Sequence, residues 1–217
     1  MKSLYEIYRM LFEAYGEQHW WPAESAFEMM TGAILTQNTS WSNVQSAIAN
    51  FGDNLTPDFI IACPLQELSL IIRPSGFFNQ KAPRLKILSQ WFKKYGCDIN
   101  TVNLNEPKKM RSELLSLSGV GCETADSIML YAFGLPYFVI DAYTKRVFTR
   151  LGFELPETYD GIRRYFESNL PHDSALFNEF HALIVKHAKM QCKAQPACTG
   201  CPLERVCPSC LPGAVHP

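Results

Sequence analysis

The stretch "LSGVGCETADSIMLYAFGLPYFVIDAY", Leu117 to Tyr143, decides how this chain is read. Leu114, Leu115 and Leu117 close one helix, Ser118-Gly119-Val120-Gly121 turn the chain, and Cys122 to Phe133 form a second helix that Gly134 ends. Glycines on both sides of Val120 suit a turn with positive φ and close backbone approach. The second helix presents free N–H groups and the positive end of its dipole there, so a phosphate can sit at the turn without a lysine. The same residues also fit a plain αα-hairpin whose glycines serve turn geometry alone. After the apolar run Tyr137–Ile140 comes a lone carboxylate, Asp141, directly before a helix from Ala142 to Leu151. Aspartate is a favoured N-cap, and Lys145 stands one helical turn on, where it can pair with it.

Outward from this stretch the pattern is helical throughout. Residues 3–15, 24–36, 41–51, 57–62, 65–71, 79–95, 108–116, 122–133, 142–151, 159–168 and 173–190 read as helices, opened or separated by proline and glycine. Period-two alternation is scarce, and only Tyr137–Ile140 has the makings of a short strand. The fold class is therefore all-α. At 217 residues the chain makes one large domain or two small lobes, long enough to bury a core. Hydrophobic residues at 47% and charged residues at 19% exclude a disordered chain. No window approaches the roughly 18 uninterrupted apolar residues of a membrane span. The first helix carries acids, unlike a signal peptide, so a cytoplasmic location without membrane partners is expected. A net charge of −1 gives no sign of a polyanionic partner, although a local patch or helix N-termini can hold phosphates without it.

Of the eight cysteines, Cys63, Cys97 and Cys122 are scattered, whereas Cys192, Cys198, Cys201, Cys207 and Cys210 crowd the C-terminal region. A disulfide scaffold would spread them more evenly, so this clustering reads as metal. Cys198-x2-Cys201-x5-Cys207-x2-Cys210 has the spacing of a four-cysteine zinc site. Lys186, Lys189, Lys193 and Arg205 around it form either a basic patch or an ordinary solvated face. Towards the N-terminus, Trp20, Trp21 and Trp41 flank the segment Leu35-Thr36-Gln37-Asn38-Thr39. Three tryptophans so close together serve a core, or stack on an electron-poor ring.

Taken together, Leu117, Gly119, Val120, Gly121, Thr124, Ala125, then Val139, Ile140, Asp141, Arg146 and Val147 resemble the helix-hairpin-helix DNA glycosylases of the endonuclease III superfamily. Trp20-Trp21-Pro22, the segment Gly32–Thr39, and Ile72–Ala82 look most like its 3-methyladenine DNA glycosylase III subgroup. The resemblance implies a two-lobed fold, with a six-helix lobe over 24–134 ending in the hairpin motif of about 108–134. Residues 1–23 plus 135–191 would make the second lobe, and 192–210 a cluster loop. It places the catalytic aspartate on Asp141, where one residue would serve as cap and catalyst. It makes Gln37 the wedge that fills the gap left by a flipped nucleotide. It also assigns Gly119, Val120, Gly121, Thr124 and Lys145 to DNA, and Trp20, Trp21 and Trp41 to the base pocket.

Cys192-x5-Cys198-x2-Cys201-x5-Cys207 resembles the superfamily's [4Fe–4S] loop, with a first gap one residue shorter than usual and Cys210 left free. The resemblance further implies a monovalent cation at the hairpin, and a monomer acting on double-stranded DNA with damaged bases. Bifunctional members carry a lysine two residues after the second hairpin glycine, where this chain has Glu123. A carboxylate cannot form an imine. The expectation is a monofunctional glycosylase for alkylated purines. The alternatives are a glycosylase for an oxidised pyrimidine or mismatched base, and a non-catalytic DNA-binding iron–sulfur protein.

Overall fold

The structure, a computed structural model, describes residues 2–102 and 106–210. Among these there are helices and turns and no strand. The α-helices are α1 (Leu4–Tyr15), α2 (Ala26–Leu35), α3 (Trp41–Ala49), α4 (Pro57–Ala62), α5 (Leu65–Ile71), α6 (Phe78–Lys93), α7 (Pro107–Ser116), α8 (Cys122–Ser127), α9 (Ala142–Arg150), α10 (Tyr159–Ser168) and α11 (Ser174–Met190). The starts of α1, α2, α4, α9, α10 and α11 follow side-chain caps that satisfy otherwise orphaned N–H groups. Ser3 and Glu6 make a capping box, and Ser25, Thr56, Thr158 and Asp173 each accept from the first turn of α2, α4, α10 and α11. The chain forms two compact units, residues 21–135 and residues 1–20 with 136–217.

In the unit of residues 21–135, α2 is buried nearly all round and packs against α3, α6, α8 and the turn after α8. Lys81 of α6 is only 1% exposed. Its ammonium donates to Leu35 O (2.8 Å) and Ser75 O (2.7 Å), and so ties down the end of α2. Burial, helped by Arg84, pushes its pKa down to about 8. Arg111 of α7 grips the fully buried Asp126 of α8 through Nε–Oδ1 (2.6 Å) and a guanidinium N to Oδ2 (3.1 Å), which locks the two hairpin helices together. The expected helix 122–133 divides: α8 stops at Ser127, and Ile128–Ala132 widen into a π-turn closed by Phe133 N to Ile128 O (3.2 Å).

The other unit is built on phenylalanine. Phe138, Phe148, Phe166, Phe177 and Phe180 are buried, with Phe166 centred 4.6 Å from Phe138 and 4.8 Å from Phe148. The segment Tyr137–Ile140 is not a strand. Phe138, Val139 and Ile140 are all buried, and side chains take the ladder's place. Phe138 N donates to Glu167 Oε1 (3.0 Å) and Ile140 N to the Tyr159 hydroxyl (3.3 Å). No described helix is long and apolar enough to cross a membrane.

Candidate active site

The buried run Phe138–Ile140 delivers Asp141 to the N-cap of α9 with an extended backbone, φ −103° and ψ −179°. Its Oδ1 accepts from Thr144 N (2.6 Å) and Thr144 Oγ1 (2.8 Å), the capping geometry expected from sequence. Its Oδ2 lies 3.6 Å from His181 Nε2 of α11, an ion-pair distance but longer than a hydrogen bond. The two side chains are 12% and 9% exposed. Burial alone pushes the Asp141 carboxyl up, but His181 and the Thr144 donors outweigh it and hold it below the usual carboxylate range. The group is therefore a carboxylate at neutral pH. His181, and not Lys145, is the basic side chain beside it, and Lys145 is exposed. His181 escaped the sequence reading because it sits inside the apolar pattern of α11, far from Asp141 in the chain.

The hairpin turn has Gly119 at φ +85° and an extended Gly121, with Val120 N donating to Leu117 O (3.0 Å). Val120 and Thr124 are buried, so their side chains are not presented to an outside partner. Thr124 Oγ1 and Gly119 O instead accept from Gln37 Nε2, at 3.0 and 2.9 Å. Glu123 is exposed. Gln37 lies just past the end of α2, and next to it Asn38 is exposed with φ +54°. Phe77, not singled out from sequence, precedes α6 with φ +46° and is 58% exposed. A bulky residue held in the left-handed region is strained.

Trp21 and Trp41 meet edge to face at 5.0 Å, and Tyr131 of the π-turn stands 5.4 Å from Trp21. Gly32 makes room for this cluster, because a β-carbon there would lie 3.2 Å from Trp21 Cζ2. Trp21 and Tyr131 line an open pocket with Glu24, Ser25 and Met29. Tyr131 had no signal in an apolar run, since the π-turn that presents it has none. Trp20 is half-buried and belongs to the unit of residues 1–20 and 136–217.

All eight cysteines are free thiols. Cys192, Cys198, Cys201, Cys207 and also Cys210 line one small apolar cavity, so the structure places Cys210 with the other four. Among the described residues no group of three or more His, Cys, Asp or Glu side chains is arranged around a common metal point. Arg150, buried in α9, holds the loop by donating to Lys193 O (2.5 Å), Ala194 O (3.0 Å) and the Cys192 thiol (3.5 Å). Arg146 adds bonds to Cys192 O (2.9 Å) and Ala188 O (3.2 Å). His187 bonds the Tyr15 hydroxyl (2.9 Å), and burial pushes its pKa down to about 4, so it is neutral beside Cys201. Of the basic residues nearby, Lys189, Lys193 and Arg205 are exposed, while Lys186 lies 5.5 Å over the Tyr15 ring.

Residues 31–172 match the family model of the HhH-GPD superfamily base excision DNA repair proteins. A Methanocaldococcus jannaschii protein provisionally named a DNA repair glycosylase is 47% identical over 214 residues, 95% of this chain and 96% of the relative. The chain belongs to the HhH-GPD superfamily. Within it, Sulfolobus acidocaldarius endonuclease III is 29% identical, covering 84% of this chain and 82% of that protein. The H. pylori 3-methyladenine DNA glycosylase bound to 1,N6-ethenoadenine superposes with a TM-score of 0.74 at 29% identity, covering 87% and 98% of the two chains. Endonuclease III in a non-covalent DNA complex gives 0.80 at 25% identity, covering 96% of each. The chain is thus a helical DNA glycosylase of base excision repair at the level of the superfamily, and DNA is its substrate.

Proposed function

We propose that this HhH-GPD protein is a monofunctional glycosylase that releases alkylated purines such as 3-methyladenine from double-stranded DNA. The observation that carries the reading is Asp141, an ionised carboxylate fixed by Thr144 and His181, in a chain with Glu123 at the lyase position. As the N-glycosidic bond breaks, its electron pair leaves with the base and positive charge builds on the sugar. Asp141 stabilises that charge and orients the water whose oxygen bonds to the anomeric carbon as its proton passes to solvent. Its lowered pKa makes it a weak base and favours the electrostatic role. A purine alkylated at N3 or N7 is already cationic and departs neutral, so no general acid is needed.

The exchange of partners on DNA follows from the same residues. The backbone N–H groups at the start of α8 hold a phosphate, and Gln37 enters the stack, with Phe77 as a second, apolar wedge. Trp21 and Trp41 give the flipped cationic base a face to stack on. Borohydride tests the absence of an imine. No covalent protein–DNA species should form, and a trapped adduct would show that an amine, Lys145 being nearest in sequence, attacks the sugar.

Cys192, Cys198, Cys201 and Cys207 fit a [4Fe–4S] cluster by their donor chemistry: free thiols converge on one cavity beside a fixed guanidinium. Bound there, the cluster would staple a loop with little core of its own. Protein purified without oxygen should be brown with broad visible absorbance and about four irons per chain. A colourless, zinc-loaded preparation would replace the cluster with a four-cysteine zinc site.

A further inference from the structure

The amide of Gln37 is engaged at both ends within residues 21–135. Nε2 donates to Gly119 O and Thr124 Oγ1, and Oε1 accepts from an Arg84 guanidinium N at 2.5 Å. Arg84 reaches it across the bare face of Gly119. A β-carbon on that glycine would overlap Arg84 Cδ and Nε and lie 2.5 Å from Cγ. A side chain at 119 is therefore disfavoured twice, because it would displace the Arg84 stem and because φ is +85°. One turn earlier on α6, Lys81 holds Leu35 O, the last helical residue before the segment. So α6 grips residues 35–37 at two points, one on the backbone and one on the side chain.

We propose that Arg84 is the positioning residue for Gln37. It keeps the carbonyl end of the amide while the nitrogen end exchanges Gly119 O and Thr124 Oγ1 for acceptors on the opened strand. Because Arg84 also packs on the hairpin glycine, the wedge stays in register with the turn proposed to hold the phosphate. An untethered glutamine would have to lose its rotamer freedom at the moment of insertion. The inference rests on the base-flipping reading above, and it assigns Arg84 no contact with the reacting atoms.

The test uses the full chain and two duplexes with 2-aminopurine stacked beside a methylated purine. In one the purine is paired, and in the other it faces an abasic gap, where little stack remains to be opened. Arg84→Met keeps the stem against Gly119 and removes the donors. It should bind undamaged duplex and melt like wild type, yet raise the fluorescence of the paired duplex about 10- to 100-fold more slowly. On the gapped duplex it should stay within about twofold of wild type. Gln37→Ala should behave the same way, and the double variant no worse than either single one. Should Arg84→Met fail to fold, Arg84→Lys, with a stem and one donor, makes the same comparison.

Opening of the paired duplex at the wild-type rate would overturn the proposal. So would an equal loss on both duplexes, or losses that multiply in the double variant. Wild type that opens DNA but releases no base contradicts the proposed function and leaves Arg84 in its role. Wild type that opens neither duplex contradicts both.

Discussion

Replacing Asp141 with asparagine should cut base release by about 10²- to 10⁴-fold while the protein still folds and binds DNA. Asparagine is as good an N-cap as aspartate, so the bond from Thr144 N survives in kind. What is lost is the negative charge, and with it the stabilisation of the sugar cation and the pairing with His181. Single-turnover release together with a binding isotherm separates the two effects, and a variant within about tenfold of wild type would remove Asp141 from the chemistry. The pH dependence of stability has a definite sign. The folded carboxyl sits below its usual pKa, so ionisation stabilises the fold above the ordinary carboxylate range and that stabilisation is lost as pH falls through the lower folded value. The difference in Tm between wild type and Asp141→Asn should accordingly shrink in acid.

Replacing Asp126 with alanine should produce the largest loss of stability, about 3–5 kcal/mol. The carboxylate is fully buried and takes two short bonds from Arg111, whose side chain is itself nearly buried. Removing it leaves a guanidinium in a low-dielectric site without its counter-charge, which costs more than the pair contributed. Denaturant unfolding measures the loss, and for a chain of this size it corresponds to a Tm drop of about 10 °C. A double replacement by apolar residues, Arg111→Met with Asp126→Leu, should recover much of it because no buried charge remains. If the double variant is as unstable as the single one, the damage comes from lost packing and not from the uncompensated charge. Since α7 and α8 carry the hairpin turn, the single variant should also weaken DNA binding.

Much of the helical framework was legible because caps and breakers are local. Apart from 122–133, every expected helix has both ends within two residues of an observed one. Thr158, Asp173 and Ser25 signal their helix starts without tertiary information. The π-turn at Ile128–Ala132 was not legible, because a widened turn keeps the apolar pattern of an α-helix. Tyr137–Ile140 looked like a strand because it is apolar and β-branched, but Glu167 and Tyr159 satisfy its N–H groups from afar.

At the candidate site the same division holds. Asp141 was visible as a cap, whereas its partner His181 is visible only once α11 packs on α9. Thr124 was assigned to DNA by the resemblance, and its hydroxyl is buried against Gln37. Arg84 was not singled out from sequence and Lys81 only as part of the segment Ile72–Ala82, and the fold shows that α6 brings both to residues 35–37. Cys210 was read as a spare thiol and shares the cavity of the other four cysteines.

The most direct test of the central claim is chromatography of the products after wild-type protein meets N-methylated duplex DNA, with the strands examined without alkali. The account predicts free 3-methyladenine and unbroken strands. Methylated DNA left with all its bases, or strands cleaved without alkali, would contradict it.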